Sequence, residues 1–436
     1  MATLATAPAP AGAAIPNRRW LRLIPIAMIV YIISFMDRTN ISYAFAGMGK
    51  DLGIDKSAQG LVGGIFFIGY IFLQIPGGIL AERWSAKKFI GIMILVWGAM
   101  AILEGFVQNF TQLVIVRFFL GVAEGGVWPA TLVLLSHWFP SGERARAYGF
   151  WMVNLALSSI ITQPLSGAIV GATSWRGLFI AEGILPFLIA APLWWTFVAD
   201  RPGQAKWLGA DERRYIENAL ALDRENEPPP KSLPEALRSG VVWQLISVYF
   251  LIQIGFYGLN LWLPTLLKDI TQQGFGIVGL IAALPYLVAV VALSANGIWA
   301  DRTRRYRWHV FGALTIAALC LVLSVAAGTS HVWLAVAAVS LAMGGALAYD
   351  GPFWAAASRA LPTAVAGGAM GLINALGNLG GFFGPTIGGY LQQTSGNFTS
   401  TAFLLAGSMF AAGLVMLTVK NGEPRADARG ASPAVG

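Results

Sequence analysis

Four charged side chains lie inside long apolar segments of the sequence, where ionisable groups are rare. Asp37 and Arg38 fall in the first such segment, and Arg117 and Glu124 fall in the fourth. A charged residue at the centre of a lipid bilayer costs about 2.5–3.5 kcal/mol on insertion scales, so these residues are expected to face one another or a water-filled cavity. Arginine binds a carboxylate through two parallel hydrogen bonds, and a carboxyl group can take up a proton. The four residues therefore predict a site where anion and proton binding are linked.

The spacing of these charges predicts a balanced network of two bases and two acids. Arg117 and Glu124 are seven residues apart, which is two helical turns, so they lie on one side of the same helix. Asp37 and Arg38 are neighbours and point about 100° apart, so each must find a partner elsewhere. We expect Arg38 to hold the substrate carboxylate while Arg117 exchanges between Asp37 and the substrate. The alternative is a static ion-pair network that only holds the helices together.

Three further acids lie within apolar segments. Glu104 and Glu182 come near segment ends that face the outside, and we expect both to be interfacial. Asp350 directly precedes Gly351-Pro352, where proline must break or kink a helix. Asp350 is a candidate for a third proton-binding group. The alternative is a carboxylate satisfied by backbone amides that are loosened at the kink.

The composition shows which solvent these segments occupy. The chain has 436 residues, of which 56% are hydrophobic and 11% are charged, against about 25% charged in a typical soluble domain. Twelve apolar runs, the first at residues 21–46 and the last at 401–419, are long enough to span a bilayer as helices and too long for the strands of a barrel. The sequence thus predicts an all-α multi-pass membrane protein with twelve transmembrane helices.

A polar stretch with three consecutive prolines separates the sixth apolar run from the seventh. The predicted parts are a disordered N-terminal tail (residues 1–19), a six-helix bundle (20–199), a cytoplasmic linker (200–239), a second six-helix bundle (240–420) and a disordered C-terminal tail (421–436). Of the 29 Lys and Arg residues, 23 fall on the side of the termini and the linker, four fall in the opposite loops and two lie within spans. Because basic residues accumulate on the cytoplasmic side, we expect both termini to be cytoplasmic, in a bacterial inner (plasma) membrane.

The charge placement and the reactive side chains exclude several function classes. The net charge of +8 indicates membrane topology rather than nucleic-acid binding, because the basic residues lie mainly in the loops on one side. The single cysteine, Cys320, permits no internal disulfide. His137, His309 and His331 fall at span ends, and no metal or nucleophile constellation converges with them. We therefore expect no enzyme activity, no metal and no cofactor.

Three matching segments indicate that the two halves are repeats. Gly78-Ile-Leu-Ala-Glu-Arg83 recurs as Gly297-Ile-Trp-Ala-Asp-Arg302 at an offset of 219 residues. The other pairs are Pro164 with Pro385, at an offset of 221, and Glu124-Gly-Gly-Val-Trp128 with Asp350-Gly-Pro-Phe-Trp354, at 226. Nearly equal offsets on matching spans imply duplication of a six-helix unit and hence two pseudo-symmetric bundles. Parallel six-helix repeats with a binding site near the midplane are a transporter architecture, which favours a transporter over an intramembrane enzyme or a channel.

Motifs in both halves resemble those of a known group of transporters. The loop that carries Glu82-Arg83 and its second copy with Asp301-Arg302 are similar to the signature loop of the major facilitator superfamily. Ser85 and Ala86 depart from that signature, which bears on gating rather than on the fold. Further motifs resemble the anion:cation symporter family, which carries sugar acids, tartrate, phthalate, hydroxyphenylacetate and similar organic anions. They are Asp37-Arg-Thr-Asn40, Arg117…Gly121…Glu124, Trp138-Phe-Pro140, Trp262-Leu-Pro264, Gly351-Pro-Phe-Trp354 and Asn374…Gly381.

This resemblance implies roles for individual residues. Arg38 and Arg117 match positions that serve the anionic substrate, and Asp37 and Glu124 match positions that carry coupling protons; the family pattern assigns Asp350 no role. The remaining candidates are polar or aromatic residues inside spans and the charged residues of the signature loops. They are Tyr70, Asn374 and, less strongly, Tyr257 for contact with the substrate, Trp354 for a pocket that accepts an aromatic acid, and Glu82, Arg83, Asp301 and Arg302 for gating.

The predicted function is proton-coupled symport of a small organic anion into the cell by alternating access. A sugar acid, a hydroxy-dicarboxylate and an aromatic carboxylate are all candidate substrates. The alternative is a uniporter or exchanger of organic anions without proton coupling. The expected partners are the anion, protons and the lipid bilayer, with no nucleic acid, and we expect a monomer.

Overall fold

The computed structural model describes residues 17–226, 237–361 and 366–419, and every regular element within these ranges is a helix. Ten stretches in these ranges are long and apolar enough to cross a membrane, and one of them, Lys56–Glu104, is 49 residues long and contains two spans. The eleventh predicted span is present as two shorter helices. The prediction of twelve spans is therefore confirmed. Both predicted tails lie outside the described residues, except that the first helix begins at Arg18, inside the part assigned to the N-terminal tail.

The first half contains spans one to six, and several of them are interrupted. Spans two and three are joined by a π-helical turn over Ala81–Ser85, which holds the first signature loop. The helices are Arg18–Thr39 and Ile41–Asp51 (span one), Lys56–Phe72 and Gln74–Leu80 (span two), Ala86–Glu104 (span three), Phe110–Gly125 and Val127–Ser136 (span four), Ser141–Met152 and Asn154–Ala172 (span five), and Trp175–Gly183 and Ala191–Phe197 (span six).

The second half contains spans seven to twelve. Its helices are Gly240–Thr271 (span seven), Phe275–Thr303 (span eight), Tyr306–Ala327 (span nine), Val332–Ala348 and Asp350–Ala360 (span ten), Ala366–Gly377 and Gly380–Ser395 (span eleven), and Thr399–Thr418 (span twelve). We call the side of the molecule on which the linker and the signature loops lie the linker end, and the opposite side the far end.

Helix interruptions lie next to the charged residues. Span one breaks at Asn40, directly after Asp37 and Arg38. Span four breaks at Gly126, two residues after Glu124, and span ten breaks between Ala348 and Asp350. Interrupted helices inside a membrane protein leave backbone carbonyl and amide groups free for other partners, and they occur where these groups line a site or are buried in protein.

Two symmetric pairs of helices join the halves at the far end. Span two packs on span eleven, where Gly60 and Gly389 face each other so closely that a Cβ on Gly60 would lie 3.0 Å from the Gly389 Cα. Span five packs on span eight in the same way, with Gly167 against Gly279. Small residues allow helices to approach this closely in membranes. The pairs are related by the predicted repeat. The sequence Gly384-Pro-Thr-Ile-Gly-Gly389 in span eleven predicts close helix packing, and Gly389 makes the first of these contacts.

The linker contains a helix, Ala210–Asn226, that is docked on the first half. Arg19 is 1% exposed and donates to Glu143 at 2.6 Å and to Glu212 at 3.0 Å. The Tyr215 hydroxyl also donates to Glu143, at 3.0 Å. This part of the linker is therefore an ordered extension of the first bundle, which its polar composition did not indicate.

A second contact holds the end of the linker helix. The backbone N–H and the hydroxyl of Ser141 each donate to the Asp223 carboxylate at 2.6 Å. Partial burial would raise the pKa of Asp223, but the two bonds from Ser141 lower it below its usual value. Asp223 is therefore ionised at neutral pH and links the linker to the start of span five.

Replacing Arg19 by alanine is expected to lower the thermal unfolding midpoint in detergent and to expose the linker helix to proteolysis. Glu212 would remain fully buried without its counter-ion, and breaking a buried pair in this way costs about 3–5 kcal/mol. The matched control is Arg18→Ala, because Arg18 is exposed and makes one long hydrogen bond, 3.5 Å to the Trp207 carbonyl. Equal unfolding midpoints for the two variants would contradict the docking role of Arg19.

Candidate substrate and proton site

The centre of the site is an ion pair between spans one and four. Arg38 Nη2 donates to Glu124 Oε2 at 3.1 Å, and both side chains are at most 4% exposed. The Ser34 hydroxyl donates to the same carboxylate oxygen at 2.9 Å. Among the described residues, Glu124 Oε1 and Arg38 Nε have no hydrogen-bond partner. The acid can therefore accept, and the base can donate, one further hydrogen bond.

Aromatic residues surround the Arg38 guanidinium. Its central carbon lies 4.7 Å from the ring centre of Tyr70 and 5.2 Å from that of Phe66. Tyr257, on span seven of the other half, interacts with Arg38 through its hydroxyl and packs on Phe67 with ring centres 4.2 Å apart. Arg38 thus lies where the two halves meet. The structure brings together Arg38, Glu124, Tyr70 and Tyr257, four of the predicted site residues.

Arg117 has different partners from those expected. Its Nη1 donates to the backbone carbonyl of Asp37 at 3.0 Å and to Glu104 at 3.2 Å, and its Nη2 donates to the backbone carbonyl of Arg38 at 3.0 Å. It makes no hydrogen bond to the Asp37 carboxylate, whose two oxygens have no partner among the described residues. Arg117 is therefore attached to the break in span one. These contacts favour a positioning role, and the predicted role as a substrate ligand stays a prediction.

The expectation that Glu104 and Glu182 are interfacial is wrong. Both residues are 0% exposed. Glu104 pairs with Arg117, and Glu182 accepts hydrogen bonds from Asn40 at 2.9 Å and from Ser166 at 2.6 Å. Hydropathy placed them near span ends, but neighbouring spans cover them. The predicted balance of two bases and two acids is wrong as well, because Glu104 and Glu182 bring the buried acids of this region to four.

Side-chain amides form a chain of hydrogen bonds between spans two, seven and eleven. Asn374 on span eleven donates to Gln74 on span two at 3.2 Å, which joins the two halves. Asn378 donates to Asn374 at 3.2 Å and accepts from Gln253 at 3.0 Å. Gln74 and Gln253 were missed by the sequence reasoning because each is a single amide outside any motif. The predicted residue Asn374 thus belongs to a chain of amides that can donate and accept hydrogen bonds.

Asp350 and Trp354 are connected to this chain of amides through Tyr249. The Trp354 indole N–H donates to Asp350 Oδ1 at 3.1 Å, so Asp350 is satisfied by a side chain rather than by loosened backbone amides. The Trp354 ring packs on Tyr249 with ring centres 5.3 Å apart, and the Tyr249 hydroxyl lies 3.5 Å from Asn374. Tyr249 therefore connects the Trp354 ring with the amides. Tyr249 lies in no motif that would identify it from the sequence.

Comparison with known proteins identifies the group to which this arrangement belongs. Residues 27–385 match the family model described as Major Facilitator Superfamily. The chain belongs to the Major Facilitator Superfamily. It is accordingly a multi-pass membrane transporter and not an enzyme. The predicted family resemblance is confirmed.

Individual relatives cover nearly the whole chain. The "Putative tartrate transporter" of Agrobacterium vitis is 33% identical over 412 residues, which are 93% of this chain and 91% of that protein. The "Inner membrane transport protein RhmT" of Escherichia coli K12 is 32% identical over 86% of this chain and 88% of its own length. In structure, the inward open conformation of the xylose transporter XylE from E. coli superimposes with a TM-score of 0.74 at 14% identity, covering 93% of this chain and 98% of XylE. That likeness shows the superfamily fold.

The signature loops of this superfamily member lie at the linker end, where the predicted gating residues bond within their own halves. Glu82 contacts His137 at 3.2 Å, and Asp301 accepts from the Tyr306 hydroxyl at 3.2 Å. Burial lowers the pKa of His137, and nearby Glu82 opposes this shift only in part. His137 is therefore neutral at physiological pH. Arg83 and Arg302 are exposed on the same loops.

Ser85, one of the two departures from the superfamily signature, has a local role. Its hydroxyl donates to Asp200 and accepts the backbone N–H of Lys88 at 3.0 Å, so it caps the start of span three. Asp200 in turn accepts the backbone N–H of Lys87 at 2.7 Å. Ser85 thus connects the first signature loop with the start of the linker.

Proposed function

We propose that this transporter carries a small hydroxylated organic anion together with protons. The observation that carries the proposal is the buried pair Arg38–Glu124 at the meeting point of the halves. A substrate carboxylate that enters the site competes with Glu124 for the Arg38 guanidinium, which binds carboxylates bidentately. Glu124 then loses its counter-ion in a buried setting, and an unpaired buried carboxylate favours binding a proton. Anion and proton binding are linked in this way, and by reciprocity each strengthens the other.

The side-chain amides where the two halves meet support a hydroxylated substrate. Asn374, Asn378, Gln253 and Gln74 supply hydrogen-bond donors and acceptors that suit hydroxyl groups on a carboxylic acid. The name of the Agrobacterium relative, with tartrate as its substrate, is consistent with this chemistry. We therefore favour a sugar acid or a hydroxy-dicarboxylate. The aromatic pair of Tyr249 and Trp354 keeps an aromatic carboxylate as the second candidate.

The proposed orientation places the linker end in the cytoplasm of a bacterial cell. It rests on the distribution of Lys and Arg, 23 of 29 on that side, and RhmT of E. coli is named as an inner membrane protein. With this orientation the close glycine contacts at the far end close the site toward the outside. Transport would proceed by rocking of the two halves about the site. Asp37 and Asp350 are proposed as further proton-binding groups, and the four charged residues of the signature loops as gating residues.

Proton coupling is tested with purified protein in sealed vesicles, using labelled L-tartrate and D-glucarate as probes. With an inward proton gradient, the wild-type protein should concentrate a probe above its external level. Glu124→Gln should abolish concentration, because the variant cannot release a proton, while exchange of internal for external probe continues. The control is Glu217→Gln on the exposed side of the linker helix, which should concentrate substrate like the wild type.

Two results would contradict the proposal. If Glu124→Gln still concentrates the probe, Glu124 does not carry the coupling proton. If the wild type only equilibrates the probe across the membrane with and without the gradient, the protein is a uniporter or exchanger of organic anions.

A further inference from the structure

We propose that Glu104 is a positioning residue for proton coupling: it holds Arg117 away from the Asp37 carboxylate and thereby leaves Asp37 able to bind a proton. This inference rests on the proposed proton coupling. Glu104 lies in span three, outside the motifs of the family resemblance, and its partner Arg117 contacts Arg38 through the backbone carbonyl rather than through the side chain.

Arg117 binds both the Glu104 carboxylate and the backbone of residue 37. Its Nη1 lies 3.2 and 3.4 Å from the two oxygens of Glu104, and both side chains are 1% exposed. The same nitrogen donates to the backbone carbonyl of Asp37 at 3.0 Å. The guanidinium therefore already contacts residue 37 while it is paired with Glu104, and it interacts electrostatically with the Asp37 carboxylate.

The Asp37 carboxylate is buried without a hydrogen-bond donor among the described residues. Asp37 is 1% exposed, and neither carboxylate oxygen has a hydrogen-bond partner among the described residues. A buried carboxylate without a donor is costly, whereas its protonated form is neutral. With Arg117 on Glu104, Asp37 therefore favours the protonated acid. With Arg117 on Asp37, the ionised form would be paired and stable.

The surrounding charges make the two acids competitors. Asp37 interacts electrostatically with Glu124, Glu182, Glu104 and Arg117, while Glu104 interacts with Arg117 and Glu124. Arg117 is the one cation in both groups, so it can neutralise one of Asp37 and Glu104 at a time. When one of these two acids is protonated, the other is ionised and paired with Arg117.

The backbone bonds connect this exchange with the substrate site. Arg117 also holds the carbonyl oxygen of Arg38 at the break in span one. A shift of Arg117 toward the Asp37 side chain would alter the support of the backbone that carries Arg38. Proton release from Asp37 is therefore linked through Arg117 to the position of Arg38, the residue proposed to bind the substrate carboxylate.

The test is the pH dependence of gradient-driven uptake by Glu104→Gln. Uptake requires a proton on Asp37, so it falls as the pH rises past the point where Asp37 loses that proton. Without Glu104, Arg117 pairs with Asp37 and holds it ionised, so the pH of half-maximal uptake should fall by one unit or more, a tenfold loss of proton affinity. Glu104→Asp, which keeps the charge, should restore the wild-type midpoint at least in part.

The matched control is Glu182→Gln, which removes another buried acid near Asp37 without touching Arg117. A shift as large as that of Glu104→Gln would indicate a general loss of negative charge and would overturn the inference. An unchanged midpoint in Glu104→Gln, with a coupled wild type, overturns this inference alone. A wild type that shows no proton-driven accumulation overturns the proposed function and this inference together.

A second measurement is independent of how well Glu104→Gln folds. Because neither Asp37 oxygen accepts a hydrogen bond, Asp37→Asn should leave the thermal unfolding midpoint of the detergent-purified protein within about 1 °C of the wild type. A large fall in that midpoint would show that Asp37 is the resting counter-ion of Arg117, which contradicts the assignment of Glu104.

Discussion

Replacing Arg38 by alanine is expected to weaken substrate binding by about 30-fold to 3,000-fold. Removing one partner of a buried, hydrogen-bonded charge pair costs about 2–5 kcal/mol, and each 1.4 kcal/mol is a factor of ten in the dissociation constant. The loss has two origins in this site. The substrate carboxylate loses the cation that lies beside Tyr70 and Tyr257, and Glu124 remains buried with Ser34 as its one hydrogen-bond donor among the described residues.

The measurement is the dissociation constant of labelled tartrate or glucarate for the purified protein at a fixed acidic pH. Arg38→Lys should bind more tightly than Arg38→Ala but more weakly than the wild type, because lysine keeps the charge without the planar fork. The control is Arg22→Ala on the same span, whose guanidinium packs on Phe197 and Trp207 at the linker end. Unchanged binding in Arg38→Ala would remove the proposed clamp and leave Arg117 as the remaining intramembrane candidate.

The chemistry of the site could be predicted from the sequence because the insertion cost of a charge acts on residue type alone. Asp37, Arg38, Arg117 and Glu124 stand out in any apolar segment. Their pairing could not be predicted, since helical periodicity relates residues on one helix and says nothing of the neighbouring helix. Arg38 therefore pairs with Glu124, and Arg117 pairs with Glu104, whereas we expected Arg117 to exchange between Asp37 and the substrate.

The positions of Glu104 and Glu182 show a second limit. A hydropathy profile shows where along a span a residue lies, and it placed both acids near a membrane surface. Whether a span end meets water or another helix depends on packing, and here spans one, four and five supply the hydrogen-bond donors that cover these acids. The interruptions of spans one, four and ten, which position the charges, were foreseen only at Pro352.

The repeat was predicted from matching loops, but the contacts it produces were found in the structure. Gly384–Gly389 was recognised as a close-packing run, whereas its partner Gly60 and the symmetric pair Gly167 and Gly279 carry no motif. The chain contains 51 glycines, and nothing in the sequence distinguishes Gly60 from the others. Only the short distance between its backbone and that of Gly389 shows that glycine contacts close the far end.

Replacing Gly279 by leucine is expected to block transport while substrate binding persists. A Cβ at this position would lie 2.5 Å from the backbone carbonyl oxygen of Gln163 and 3.1 Å from the Gly167 Cα. Backbone atoms cannot move aside as a flexible side chain does, so spans five and eight must separate. Overpacking costs about 1–3 kcal/mol. Because the cost falls only on the state with a closed far end, the population of that state should drop about 5-fold to 150-fold.

Two measurements separate this block from simple misfolding. Uptake into vesicles should fall with the population of the closed state, and Gly407→Leu, whose new side chain meets open space, should transport normally. A cysteine at Gly171, in a chain whose single Cys320 is replaced by serine, reports access at the far end. It should react faster with an impermeant maleimide when Gly279 is leucine, because the gap between spans five and eight is wider. Normal uptake with unchanged labelling would mean that closure does not depend on this glycine pair, and that contact between spans two and eleven alone holds the far end shut.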